Sequence, residues 1–303
     1  MNKSLPLFLL FLSCNNKTDE IRFFALSTYV QVKTDSKIPE SLIKHEIERI
    51  DRKFNVFDST SLISHLNKDR ILIDSEFAAV IKKASQISKN TAGHFTVFIY
   101  PLEAIWGFYS DSFKMPEANK INIARAKVLE GSLYVKKDTI RLIRGKIDLG
   151  AIAKGYAVDR IAKLLYKQGA RNILVNIGGD IYVKGAKNWH IGIKNPREQG
   201  IIKVLKVKNV AVVTSGDYER YFFYKENDKD SIRYHHIINP FTGYPGRACV
   251  SITVLSYSCM IADAYATGFM AMDDKEKILE VAKKLHIKTI IIDKDLNIEE
   301  TYE

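Results

Sequence analysis

The sequence predicts an α+β fold, with antiparallel-rich sheets and segregated helices in one composite domain. Three observations carry this prediction. The chain has 303 residues, 46% of them hydrophobic and 27% charged, so it can bury a sizeable core and lies outside the disordered class. Apolar stripes at helical spacing are confined to a few blocks, whereas the half beyond residue 170 reads as short strands cut by Gly, Asn, Pro or Asp turns. Runs of strands with separate helices argue against a wound parallel sheet.

Met1-Asn2-Lys3 leads into the apolar stretch Leu5 to Leu12 and then Ser13-Cys14-Asn15-Asn16-Lys17. That stretch is far shorter than the roughly 20 residues of a membrane span and has the outline of a secretory signal. A small residue followed by Cys resembles a bacterial lipobox. Residues 1–14 are then a lipoprotein signal peptide with Cys14 as the lipidation site, 15–22 a tether and 23–303 the folded domain. The competing reading is a buried first strand over Leu5 to Leu12.

Phe23 to Lys33 alternates enough for a first strand. Leu42, Ile43, Ile47, Ile50 and Phe54 form one helical stripe behind Pro39, and Phe77, Val80, Ile81, Ala84 and Ile87 form a second that ends near Gly93. From Tyr134 to Ile147 short apolar runs alternate with charge. Ile152, Ala153, Tyr156, Ala157, Ile161, Leu164 and Leu165 then mark a helix closed by Gly169. Strands are expected over Asn172 to Ile177, Asp180 to Val183, Trp189 to Ile193, Val210 to Thr214, Tyr221 to Tyr224, Tyr234 to Ile238 and Val250 to Leu255. Ala262 to Met272 and Lys275 to Leu285 read as helices, and Thr289 to Asp293 as a closing strand. Cys249 and Cys259 flank a strand too long to let them bond, so both are expected as free, buried thiols.

The formal net charge of +11 favours anionic partners such as nucleotides or acidic headgroups. The basic residues are interleaved with acidic ones and no zinc-finger or RNA-recognition signature occurs, so nucleic acid is not an expected partner.

Five segments carry chemistry. Asp148-Leu149-Gly150-Ala151-Ile152-Ala153-Lys154 sets an acid before a helix start and a lysine on its first turns, an arrangement that suits phosphate but also plain helix capping. Asn176-Ile177-Gly178-Gly179-Asp180 lacks the G-x-G-x-x-G spacing of a dinucleotide fold and by itself is a hairpin turn. Thr214-Ser215-Gly216-Asp217-Tyr218 reads equally as a polar turn or a ligand loop. His235 and His236 stand on opposite faces of a strand, so only one can face a site, where an imidazole can accept a proton from a hydroxyl. On a helix Asp263 and Thr267 share a face, presenting a carboxylate and a hydroxyl that suit a hard cation such as magnesium.

In this order, together with Thr91-Ala92-Gly93-His94-Phe95-Thr96 and Trp106-Gly107-Phe108, the motifs resemble the FAD:protein FMN transferase family, also called the ApbE family of flavin-trafficking lipoproteins. The match runs from about residue 23 to the end. The resemblance implies an ApbE-like domain and a magnesium-dependent transfer of the FMN half of FAD to a threonine hydroxyl of a target flavoprotein, with release of AMP. It implies His236 and Lys154 as catalytic residues, with His236 deprotonating the incoming threonine. Ala151 through its carbonyl, Asp263 and Thr267 would hold Mg2+. Leu26, Phe57, His94, Phe95, Thr96, Asp148, Lys154 and Ile237 fall on FAD-contact positions. The implied acceptor carries a D-G-x-S/T-x-x-T sequence, and the implied location is extracytoplasmic, lipid-anchored to a bacterial membrane, on the periplasmic side of the inner membrane in a Gram-negative cell.

Departures from the family pattern are Thr96 where Asp is frequent, Leu26 where Met is common, and Asn239 and Phe241 where Asp and a basic residue often stand. A magnesium-dependent FAD pyrophosphatase that yields FMN and AMP, or a non-catalytic FAD-binding lipoprotein, would use the same residues.

Overall fold

The computed structural model describes residues 19–110, 112–225 and 231–301; the expected signal peptide, Cys14 and the start of the tether lie outside them. β1 (Asp19–Ala25) and β2 (Thr28–Thr34) form an antiparallel hairpin. This corrects the single strand expected over Phe23 to Lys33. The chain reverses at Leu26 and Ser27, whose φ values are 50° and 57°, and no Gly, Asn or Asp marks the two-residue turn that usually demands them. β1 also takes in Asp19 to Arg22, so strand begins inside the segment expected as tether.

α1 (Glu40–Phe54) buries the expected stripe of Ile43, Ile47, Ile50 and Phe54, with Pro39 at the cap position. α2 (Leu62–Asp69) is capped by the Ser61 hydroxyl and runs into β3 (Ile71–Ile73). α3 (Ser75–Asn90) starts at the Asp74 carboxylate, which accepts the Phe77 N–H. α4 (Tyr100–Ile105) and α5 (Ala118–Leu129) follow, then β4 (Ser132–Lys136) and β5 (Thr139–Arg144), which pair with β3 in the order β3-β5-β4.

The second half opens with α6 (Gly150–Lys167), β6 (Ile173–Ile177), β7 (Asp180–Lys184), β8 (Trp189–Lys194), β9 (Ile201–Val207) and β10 (Val210–Gly216). β11 (Tyr221–Tyr224) pairs with β12 (Ile232–His235), and β13 (Ser251–Ser256), α7 (Cys259–Met270), α8 (Lys275–Lys284), β14 (Lys288–Ile292) and β15 (Ile298–Glu300) complete the chain. The strand expected through Ile238 stops at His235. Beyond it Ile238 makes only an isolated bridge to Pro245, because the chain turns at Asn239, whose side chain accepts the Phe241 N–H.

The central sheet has eight strands in the order β1-β2-β6-β7-β10-β13-β14-β15, every pair antiparallel. This bears out the α+β expectation. Strand alternation sends Ile173, Val175 and Ile177 into the core cluster shared with α1, α3, α6 and α7. Leu174, Ile181, Val183 and Val212 face the other way, where the β8–β9 hairpin covers them with Trp189, Ile191, Ile193 and Leu205. A third cluster gathers Leu102, Trp106, Phe108, Ile121 and Tyr234. Cys249 and Cys259 are free and buried, as expected.

Register gives the sheet two distinct ends. One carries the Leu26-Ser27 turn, the Gly178-Gly179 turn leading to Asp180, and Gly216 opposite Ser251. The other carries Asp19, Lys184, Val210 and Lys288. Every described element lies between residues 19 and 300, so a chain beginning at residue 15 retains the whole described fold.

Candidate functional site

The site is assembled at the first of these ends, where α6 crosses α7. A Cβ on Gly155 would meet the Cys259 carbonyl oxygen at 2.4 Å and Asp263 Cβ at 2.8 Å, so glycine permits the close crossing. Asp159, one turn further along α6, fixes the start of α7: its carboxylate accepts the Ser258 hydroxyl at 2.6 Å and the Cys259 and Met260 N–H groups at 2.8 and 3.0 Å. The crossing aims Asp263 at α6, and the Gly155 N–H donates to Asp263 Oδ2 at 3.0 Å. The usual helical acceptor for that N–H is the Ala151 carbonyl, so helical spacing brings Ala151 and Asp263 to one donor.

Lys154 Nζ lies 2.9 Å from Asp180 Oδ2 and 3.6 Å from Asp263 Oδ2. Asp180 is set in place by the turn before it, in which Asn176 Oδ1 accepts the Gly179 N–H at 2.9 Å and Gly178 and Gly179 have φ values of 62° and 98°. Both carboxylates are about 2% exposed. One lysine therefore serves two buried acids. Burial, then the Asp263 charge, pushes Asp180 up to about 8, and Lys154 offsets this only in part. Burial works to lower Lys154, but the two carboxylates prevail and raise it above the ordinary lysine value.

Thr267 stands one turn after Asp263, and its hydroxyl has no hydrogen-bond partner among the described residues. Among those residues no three His, Cys, Asp or Glu side chains converge as a metal site. What the chain offers is an incomplete set of oxygen donors: the Asp263 carboxylate, the Thr267 hydroxyl and the Ala151 carbonyl, beside a second buried acid, Asp180, that shares the same lysine. That donor set fits a hard divalent cation completed by water and phosphate oxygens, and excludes a soft-metal site.

His236 faces the same space. Its backbone N–H donates to the Arg220 carbonyl at 3.0 Å, and its Nδ1 lies 3.3 Å from that oxygen. A carbonyl can only accept, so Nδ1 carries the proton and Nε2 is left as the basic nitrogen. Burial, then the charges of His235, Arg220 and Lys154, pushes His236 down to about 3 and keeps it neutral. His235 points the other way, buried with Nε2 2.9 Å from the Gly246 carbonyl. The expectation that only one of the pair faces the site is met.

A third arm comes from residues 57 to 148. Asp148 Oδ1 accepts the Gly150 N–H at 2.7 Å, and its other oxygen accepts the Tyr109 hydroxyl. Tyr109 also lies 2.7 Å from Glu103 Oε2, stacks on Tyr100 at 4.5 Å and meets Phe57 at 5.3 Å between ring centroids. Burial, then the Asp148 charge, pushes Glu103 up to about 8. Phe57 is 64% exposed and offers an open aromatic face at the rim. Arg220 joins this arm to the last, donating to the Phe108 carbonyl and acting on both Glu103 and His236.

Leu26 sits at the hairpin tip beside Gly178, whose N–H donates to the Tyr29 carbonyl at 3.0 Å. His94 stacks edge-on against Phe241 at 4.9 Å with Nδ1 2.9 Å from the Thr91 carbonyl. The Thr96 hydroxyl accepts the Phe98 N–H, and the next residue's carbonyl accepts the Asp148 N–H at 2.8 Å. The side chains of Phe95 and Ile237 belong to the core cluster, so these two positions can meet a ligand only through backbone. Four members of the site had no role assigned from sequence. Asp180 closes a motif already noted and Arg220 lies two residues beyond another, whereas Glu103 and Tyr109 sit in no motif and join the site only through folding.

A family model described as the ApbE family matches residues 26–291. A curated FAD:protein FMN transferase from Vibrio cholerae is 32% identical over 277 residues, covering 85% of this chain and 80% of that protein. One from Haemophilus influenzae is 32% identical over 286 residues, covering 88% and 80%. Among solved structures, the ApbE protein of Thermotoga maritima superposes with a TM-score of 0.83 at 31% identity, covering 93% of this chain and 96% of the other. The flavin transferase ApbE of Vibrio cholerae does so with a TM-score of 0.81 at 28% identity, covering 94% and 96%.

Proposed function

Because the chain belongs to the ApbE family, we propose that it is a FAD:protein FMN transferase, magnesium-dependent, which moves the FMN half of FAD to a threonine of a target flavoprotein and releases AMP. The observation that carries this is the convergence at one sheet end of Lys154, two buried carboxylates and a neutral, tautomer-fixed His236.

In the reaction the acceptor threonine oxygen attacks the phosphorus of the FMN half. A new phosphoester bond forms, the bond from that phosphorus to the bridging oxygen breaks, and AMP leaves with the bridging oxygen. His236 Nε2 accepts the threonine proton. The negative pyrophosphate raises the basicity of this imidazole over its value in the free protein, since a nearby anion favours the protonated form. Lys154 sets a positive charge against the phosphates, and the Asp148-Tyr109-Glu103 chain holds the α6 start where its N–H groups face them. Mg2+ held by Asp263, Thr267 and the Ala151 carbonyl would, when bound, offset charge on the pyrophosphate oxygens. Phe57 and the Tyr109 ring offer the flavin or adenine an aromatic surface.

The acceptor is a flavoprotein segment of the form D-G-x-S/T-x-x-T, and the chain works outside the cytoplasm, anchored to the membrane through a lipid on Cys14. Mass analysis of the mature N-terminal peptide checks the anchor. The activity is tested by incubating the chain from residue 15 with FAD, Mg2+ and a protein carrying that segment, then reading the acceptor's intact mass. A gain equal to FMN minus water, lost with EDTA, is expected. AMP with free FMN and an unmodified acceptor would instead make the protein a pyrophosphatase.

A further inference from the structure

The sheet end opposite the site is where the chain enters the domain. Register carries it across the molecule: Asp19 pairs with Thr34, Thr34 with Ile173, Ile173 with Lys184, Val183 with Val210, Ala211 with Ser256 and Leu255 with Lys288. Beside Val210, Ser256 and Lys288 this end opens into a groove of about 870 Å³. Lys83, Lys203, Lys206, Lys208 and Lys288 line it, and the one carboxylate among its lining residues, Glu300, is engaged by Lys203 at 2.5 Å. Lys206 and Lys208 are exposed. Lys184 and Lys187, held over the Tyr166 and Trp189 rings, continue the basic surface toward β1.

Two further features point to a lipid surface as the occupant. Tyr257 and Val204, both lining the groove, are 76% and 56% exposed, and apolar groups beside lysines suit the headgroup layer, where amphipathic side chains keep their polar ends in water. From Cys14 to Asp19 the chain has only five residue steps, at most about 18 Å when fully extended. A lipid on Cys14 therefore holds Asp19, the β1 corner of this end, near the bilayer, and the groove stands four strands further across the same sheet end.

Resting on the anchoring proposed above, we infer that the basic end is a membrane-docking surface for anionic phospholipid headgroups. Docking there turns the site away from the bilayer. β10 alone, seven residues long, sets the two ends roughly 20 Å apart, so the His236 side stays open to a protein acceptor.

The test uses the chain from residue 15, which has no lipid, with sedimented vesicles of phosphatidylglycerol and phosphatidylethanolamine or of phosphatidylcholine alone. Binding to the anionic vesicles is expected at low salt, with little to the neutral ones. The double variant Lys206→Glu/Lys208→Glu should bind at least tenfold more weakly, because each basic side chain at an anionic membrane contributes about fivefold. In the full-length chain on anionic proteoliposomes, amine-reactive labelling of Lys206 and Lys208 should fall relative to Lys146, whose amine lies over the Tyr100 ring that stacks on Tyr109 in the site. Equal binding to neutral vesicles, unchanged binding by the double variant, or tighter binding to a DNA duplex than to anionic vesicles would overturn the inference. Flavin transfer in solution by the double variant shows that it is folded, and it keeps this result separate from any failure of the transferase reading.

Discussion

Glu76 and Glu103 are both half-buried, yet the protein holds them in opposite states. Burial works against the Glu76 charge, but Arg49, Tyr156 and Lys53 all donate to it and hold it down to about 2. With Glu46 and Arg160 these groups tie α1, α3 and α6 together. Glu103 has one neutral donor, Tyr109, shared with the charged Asp148, and is pushed up to about 8. Asp180 repeats the pattern across the site. The first cluster is electrically complete and serves the fold. The second keeps acidic groups short of positive partners, which is the arrangement expected where a ligand or cation supplies the remainder.

If that contrast is sound, breaking the site should lower rate and breaking the cluster should lower stability. His236→Ala should reduce single-turnover transfer by about 10²- to 10⁴-fold, with thermal stability retained. Asp263→Ala should reduce transfer by more than about 100-fold, since loss even of the groups that orient a metal's ligands costs 10- to 100-fold. With Mg2+ at 100 times Kd the wild type should gain about 2.7 kcal/mol and a higher melting temperature, and Asp263→Ala should gain neither. Glu76→Ala should leave transfer near wild type while costing about 2 kcal/mol in urea denaturation. That figure is below the 3–5 of a fully buried pair, because Glu76 and Arg49 keep 21% and 27% side-chain exposure.

The smallest effect sharpens the comparison through pH. Glu76 is held below its ordinary value, so its contribution to stability is present above about 4.5 and is lost as pH falls through about 2. Glu103 is held above its ordinary value, so its contribution is present below about 4.5 and is lost as pH rises through about 8. Stability curves from pH 3 to 9 should therefore lose part of their alkaline slope in Glu103→Gln and part of their acid slope in Glu76→Ala. The same change of slope in both variants would erase the distinction between the clusters.

The parts of the fold legible in the sequence are those with a clean period. α1, α3, α6 and α8 show apolar stripes, and β7, β8 and β10 short runs between turns. β9 carries no such signal, because Ile201-Ile202-Lys203-Val204-Leu205-Lys206-Val207 repeats every three residues, neither strand nor helix spacing. α5 buries only Ile121, Ala124 and Val128, a stripe too sparse to stand out. The hairpin at Leu26-Ser27 has no turn residue to announce it. In the site, Lys154, His236, Asp263 and Thr267 are each ambiguous alone and become readable through the order of motifs. Glu103 and Tyr109 reach Asp148 from about 40 residues away, by packing that no local pattern encodes.

Chemistry is assigned to the Lys154-Asp180-Asp263-His236 end and not to the ion-pair cluster at Glu76. The most direct test follows AMP release and acceptor mass together, with FAD and Mg2+, for wild type, His236→Ala and Glu76→Ala. Wild type should release one AMP per flavinylated acceptor, Glu76→Ala should keep that stoichiometry at a similar rate, and His236→Ala should lose both products. Flavinylation by His236→Ala at the wild-type rate would contradict that assignment.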